Sequence, residues 1–321
     1  MAVGGHLHHL CARRGHHLSA DRPGRGKSVI VHTTGLVKEY GSTTALAGVD
    51  LEVSEGSVYG LVGPNGAGKT TLLAILSGLR HSTRGSVHLG VSSAEMAVLP
   101  DTPHFDKWLT GREVVDLARN LSERSIAESR VGEVLELTGI IDAAEQKVGG
   151  YSRGMLQRLG LAATVVAEPK LLLLDEPSAA LDPAGRREVL DLVAKIRGEA
   201  TVVFSSHILS DVQEVCDTVG ILDHGRLRFQ GPIGELLSGR AAPAYRVRLR
   251  PPAAPAVAAL EEQSWVQQVA VLGDGDLRVS VTSLEAAERY LPGVLAGVEA
   301  RVVSIAPEAA TLEEVFLELT R

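Results

Sequence analysis

V-Y-G-L-V-G-P-N-G-A-G-K-T-T, residues 58–71, decides the fold. The first five residues form an apolar run that reads as a buried strand, and Gly63 to Thr70 satisfies G-x-x-x-x-G-K-[ST] between that strand and a helix expected over Lys69 to Leu79. Glycines at 63, 66 and 68 let the backbone curl until successive N–H groups face inward, and the helix N-terminus adds its dipole. Such a loop cradles phosphates. Lys69 reaches the β- and γ-phosphates and Thr70 offers a hydroxyl to Mg2+. The expected nucleotide-binding set is therefore Gly63, Pro64, Asn65, Gly66, Ala67, Gly68, Lys69, Thr70 and Thr71.

Outward from the loop, L-L-L-L-D-E at residues 171–176 is a second buried strand whose end delivers two carboxylates. Asp175 is the candidate metal ligand. Glu176 is the candidate group for orienting or deprotonating the attacking water, since phosphoryl transfer to water depends on positioning and charge stabilisation. From Val29 to about Ser238 strands and helices alternate, which indicates a parallel sheet covered by helices. Within that span, from about residue 101 to Ala167, the pattern turns helical, as in V-V-D-L-A-R-N-L and V-G-E-V-L-E-L-T. It reads as a helical insertion into the sheet domain.

A small-residue linker, G-R-A-A-P-A, follows, and residues 244–321 change texture. The order there is strand, helix, a hairpin turning at G-D-G-D, helix, strand and helix, a small α+β unit of ferredoxin-like type. It carries no catalytic motif. Residues 1–28 hold His6, His8, His9, His16 and His17 near Cys11, and read as a disordered leader with a metal-binding tract as the alternative.

The chain has 321 residues, enough for two domains, and a net charge of -7, which gives no basic footprint for nucleic acid. Its two cysteines, Cys11 and Cys216, fit a reducing cytosolic compartment. No run of about eighteen apolar residues occurs, so any membrane role must come through a partner. No [NT]-K-x-D is present, which argues against a GTPase.

Further motifs, in order, make the chain resemble the ABC ATPase family from about Val29 to Ser238. Tyr40 in K-E-Y-G matches the aromatic that stacks on adenine. Ser152 and Gly154 in Y-S-R-G-M-L-Q-R match the signature loop that contacts the γ-phosphate bound to the other subunit, although Tyr151, Arg153 and Met155 depart from the family's usual residues. Asp182 in S-A-A-L-D-P matches the loop after the second acidic motif, where Ala179 replaces a usual serine. His207 in F-S-S-H matches the switch histidine. Asp101 stands where the family's lid glutamine is usual and has a shorter reach to magnesium.

The resemblance implies ATP and Mg2+ as cofactors, catalysis through Lys69, Glu176 and His207, and a nucleotide-sandwich dimer. It also implies a separately encoded membrane permease and a place on the cytoplasmic face of the membrane. Phe105 and Trp108 read equally as an exposed patch for that partner or as packing inside the insertion. The ending T-L-E-E-V-F-L-E-L resembles that of the daunorubicin-resistance type of ABC ATPases. Leu312, Val315, Phe316 and Leu319 fall at helical spacing there, suited to packing on their own domain.

Overall fold

The computed structural model describes residues 28–320 apart from 123, 180, 241, 242, 309 and 310. The His-rich tract lies outside the described residues. Strands β1 (Val29–Tyr40), β2 (Thr43–Val49) and β3 (Glu52–Ser54) open the fold, followed by β4 (Val58–Val62), helix α1 (Lys69–Leu76) and β5 (Arg84–Leu89). β1 pairs antiparallel with β2, β3 and β5, forming one sheet. Helix α1 is shorter than its apolar pattern suggested, because the chain leaves the helix at Ser77 and Gly78 turns left-handed.

The second sheet adds β6 (Met96–Leu99), β7 (Leu171–Asp175), β8 (Thr201–Ser206), β9 (Thr218–Asp223) and β10 (Arg226–Pro232). Its order is β10-β9-β4-β8-β7-β6, and β10 alone runs antiparallel to its neighbour. β4, β7 and β8 are buried at every residue, as their apolar runs require of strands covered on both faces. Alternation along β7 divides the core. Leu171 and Leu173 face α1 and the first sheet, while Leu172 and Leu174 join the larger helical core. Each such fully buried leucine contributes about 1.5–3 kcal/mol.

The helical insertion is α2 (Gly111–Leu121), α3 (Ser129–Leu137) and α4 (Arg153–Val165). Thr110 and Glu113 start α2 with a reciprocal capping box. Phe105 and Trp108 divide between the two readings given to them. Phe105 packs against the core, whereas Trp108 is 67% exposed. Helices α5 (Pro183–Ile196), α6 (Leu209–Val215) and α7 (Ile233–Arg240) complete this part. α6 lies so close behind β4 that a Cβ at Gly60 would clash with Val212 Cγ1 and Cys216 Sγ. Burial in that contact pushes the Cys216 thiol pKa up.

The C-terminal part contains β11 (Ala244–Leu249), α8 (Ala254–Glu261), β12 (Val266–Gly273), β13 (Asp276–Val281), α9 (Leu284–Gly297), β14 (Val302–Glu308) and α10 (Leu312–Leu319). Its antiparallel sheet has the order β12-β13-β11-β14, which with the two intervening helices is the ferredoxin-like arrangement. Tyr245, Val247, Leu277 and Val279 pack with Leu260 and Leu291 into a separate core. Helix α10 departs from the sequence reading. Leu312 and Val315 are buried in the core of the larger part with Ile233 and Leu236, Phe316 and Leu319 pack against it, and the Leu312 N–H donates to Gln213 Oε1 at 2.8 Å. The helix therefore packs on α6 and α7, away from the core of the unit that precedes it. Among the described residues no helix is long and apolar enough to cross a membrane.

Candidate functional site

β4 is flanked by β8 and β9, and β8 in turn by β7, so the carboxyl ends of β4, β7 and β8 lie side by side. Ligands of open α/β sheets bind at that edge, where the loops diverge. The loop after β4 is the phosphate cradle. Gly68 caps α1 with φ 109°, and a Cβ there would clash with Ala45 O of β2, so only glycine fits. Pro64, Asn65, Gly66 and Thr70 are exposed, Gly63 and Ala67 are buried, and Thr71 is half-buried.

Lys69 is only 6% exposed and folds over the loop. Its Nζ donates to Gly63 O at 2.7 Å and to Pro64 O at 3.4 Å, and lies 3.5 Å from Glu176 Oε1. The other carboxylate oxygen of Glu176 lies 2.7 Å from His207 Nδ1 and accepts weakly from His207 N. Glu176 thus stands between the P-loop cation and the residue after β8. Its backbone is left-handed, φ 49°, uncommon without glycine, and is held there by its N–H bonding to Ser205 Oγ at 3.0 Å and Ser205 O at 3.2 Å. Ser205 Oγ also donates to Asp175 Oδ1 at 2.6 Å, which orients this buried carboxylate.

The other expected residues divide. Asp182 caps α5 by accepting from Gly185 N at 2.9 Å, and Ser152 caps α4 by accepting from Met155 N at 3.2 Å. Tyr151, a departure from the family pattern, packs into the insertion and donates from its hydroxyl to Ala143 O at 2.6 Å. Burial, and after it Glu145, raises its pKa. Tyr40 is 40% exposed at the end of β1. Lys38 Nζ and Arg80 Cζ lie 4.9 and 5.7 Å from its ring centroid, so a base stacking there would share the ring with two cations. Asp101 is exposed just beyond β6. Sequence reasoning missed Ser205 and Asp211, which bond the turn that carries Glu176 and its Ser178, and Arg186, which bonds Asp211.

A lysine-bearing phosphate cradle with acidic groups at the end of a second strand of the same parallel sheet defines a class, the nucleotide-hydrolysing P-loop proteins. A family described as ABC transporter matches residues 46–179. The chain is similar to the uncharacterized ABC transporter ATP-binding protein YdbJ of Bacillus subtilis (strain 168), 34% identical over 303 residues, 91% of this chain and 95% of that one. It is also similar to the daunorubicin resistance ATP-binding protein DrrA3 of Streptomyces coeruleorubidus, 34% identical over 303 residues, 89% and 94% of the two chains. A solved structure of the ATP binding subunit of an ABC transporter superposes with a TM-score of 0.61 at 26% identity, over 65% of this chain and 92% of that one. The chain belongs to the ABC transporter ATP-binding proteins and is an ATPase of that family.

Proposed function

We propose that this chain hydrolyses Mg-ATP as one of two nucleotide-binding subunits that drive export through a separately encoded membrane permease. The observation that carries the reading is the Glu176 carboxylate, set between Lys69 Nζ and His207 Nδ1 at the mouth of the phosphate loop. Lys69 would exchange its bonds to Gly63 O and Pro64 O for phosphate oxygens. Glu176 would orient the attacking water and take its proton, while His207 would turn from Glu176 towards the γ-phosphate. Thr70 and Asp175 offer one hydroxyl and one carboxylate oxygen. That donor set suits Mg2+, which keeps several waters and takes its remaining ligands from phosphates. Tyr40 would carry the adenine, and Asp101 would approach from the lid.

Ser152 and Gly154 lie at the start of α4, and Asp182 at the start of α5. On this reading they complete the site of a second copy across a two-fold axis. Trp108, exposed beside the insertion, is the anchor offered to the permease, which would place the chain at the cytoplasmic membrane face. The relative named for daunorubicin resistance supports export.

Tagged chain extracted from membranes in mild detergent is expected to bring one integral membrane protein with it. Trp108→Asp should cut that recovery about tenfold or more, the range of an aromatic hot spot, and leave ATP binding intact. Recovery of the unmutated chain alone would contradict the partner assignment, and undiminished recovery of the membrane protein with Trp108→Asp would contradict the role given to Trp108.

A further inference from the structure

Behind the site lies a carboxylate that the hydrolytic reading does not use. Asp211 is 1% exposed in the first turn of α6. Its Oδ2 accepts from Ser178 Oγ at 2.9 Å, and its Oδ1 accepts from Arg186 Nε at 2.6 Å, with Arg186 Nη2 also against it. Arg186 Nη2 donates in addition to Ser210 Oγ at 2.9 Å. An ion pair whose carboxylate is buried and whose arginine is half-buried contributes little to stability compared with apolar residues of the same shape, so its geometry is more informative than its strength. The geometry is specific. Ser178 lies two residues beyond Glu176, Asp211 four beyond His207, and Arg186 four beyond Asp182.

One carboxylate therefore ties together three segments: the turn after β7, the first turn of α5 and the first turn of α6. Its own position is fixed, because the adjacent Val212 packs on β4 where Gly60 leaves room for nothing larger. At the open end of the same two loops, Glu176 and His207 share a second link, with the histidine side chain 49% exposed. On the hydrolytic reading that outer link opens when His207 turns towards the γ-phosphate. The inner link, closed from solvent, need not.

We propose that Asp211 is a positioning residue for hydrolysis. It holds the turn from Glu176 to Ser178 in register with the segment at residues 207–211 when Glu176 releases His207, and so sets where the Glu176 carboxylate and the N-terminus of α5 stand. This rests on the assignment of Glu176 as the group that handles water. Ser178 is the place to test it, since replacing it removes one neutral hydroxyl and leaves the Asp211 to Arg186 ion pair intact.

In the full-length chain Ser178→Ala should lower kcat for ATP about tenfold, the scale of a lost hydrogen bond to a charged group, with KM for ATP unchanged within about twofold. Ser178→Thr, which keeps the hydroxyl, should restore most of the loss. Asp211→Asn should lower kcat further with KM again unchanged. Should the asparagine variant fail to fold, the alanine and threonine pair still decides. Full kcat in Ser178→Ala, or a loss confined to KM, would overturn the proposal. Glu176→Gln separates the two readings. If it hydrolyses ATP normally the water-handling assignment itself fails, whereas if it is silent while Ser178→Ala is fully active only the role of Asp211 fails.

Discussion

The larger part of the molecule and the C-terminal sheet are both α/β layers with apolar cores, yet only one concentrates chemistry. In the first, β4, β7 and β8 run parallel and are buried throughout, so their ends open at a common edge and bring Lys69, Asp175, Glu176 and His207 together. In the second, antiparallel pairing sends neighbouring strand ends in opposite directions. Its charged residues pair with one another and with α10 instead. Arg246 binds Asp276 at 2.6 Å, and Arg278 binds Glu308 at 2.7 Å and Glu314 at 2.8 Å. Strand direction, more than composition, separates a site from a scaffold. Helix α10 crosses between the two, since its sequence follows the second sheet while its apolar face fills the first core.

The largest contrast is expected at Lys69. Lys69→Ala removes the cation of the phosphate loop, abolishing turnover and weakening ATP binding roughly ten- to a hundredfold, since charge-assisted bonds worth about 1.5–3 kcal/mol are lost. Hydrolysis rate and nucleotide titration of the purified variant check this. Unchanged hydrolysis would break the assignment of chemistry to the first part.

Next in size are paired core truncations. Leu312→Ala in α10 should destabilise the larger part by about 2–5 kcal/mol, and Leu277→Ala in β13 should cost the C-terminal sheet a similar amount. The two tryptophans report separately, because Trp108 sits by the helical insertion and Trp265 is buried in the C-terminal core. Urea unfolding followed by ATP binding and by fluorescence should therefore show Leu312→Ala moving the nucleotide-binding transition. If it moves only the Trp265 transition, α10 belongs energetically to the sheet it follows. A chain cut near Ser238 is by the same argument expected to be less stable than the intact one, since it ends inside α7 and uncovers the seat of α10.

The smallest effect lies in pH. Arg246 hydrogen-bonds Asp276 and holds its carboxyl below the ordinary aspartate range. A depressed folded-state value means the contribution is present above the ordinary pKa and is lost as pH falls through the depressed one. Thermal unfolding of the C-terminal sheet, read by Trp265, should therefore weaken on acidification below about pH 4. Asp276→Asn should remove part of that slope. An unchanged slope would show that the pair is too solvated to matter.

Much of this was legible because it is local. A phosphate cradle needs its glycines and lysine within eight residues, and each strand or helix of the C-terminal unit carries its own period. The inner tie was not legible. Ser178 and Asp211 are 33 residues apart and Arg186 and Asp211 are 25 apart, joined only by the way α5 and α6 pack. Nor does an amphipathic helix name its partner: the face of Leu312, Val315 and Phe316 foretells burial, but the expectation that it packs on its own domain picks the wrong core. Phe105 and Trp108 were ambiguous for the same reason. Two aromatics close in sequence can point to opposite sides of one loop.

The central claim is that Glu176 handles the water in a site completed by a second subunit, and Glu176→Gln tests it most directly. The amide keeps the shape but removes the carboxylate that, on this claim, acts as base and faces the γ-phosphate. Size-exclusion chromatography of the purified variant with Mg-ATP should show a stable dimer that the same protein with ADP does not form, while hydrolysis stops. Hydrolysis at the normal rate would contradict the role of Glu176, and tight ATP binding by a monomer would contradict the shared site.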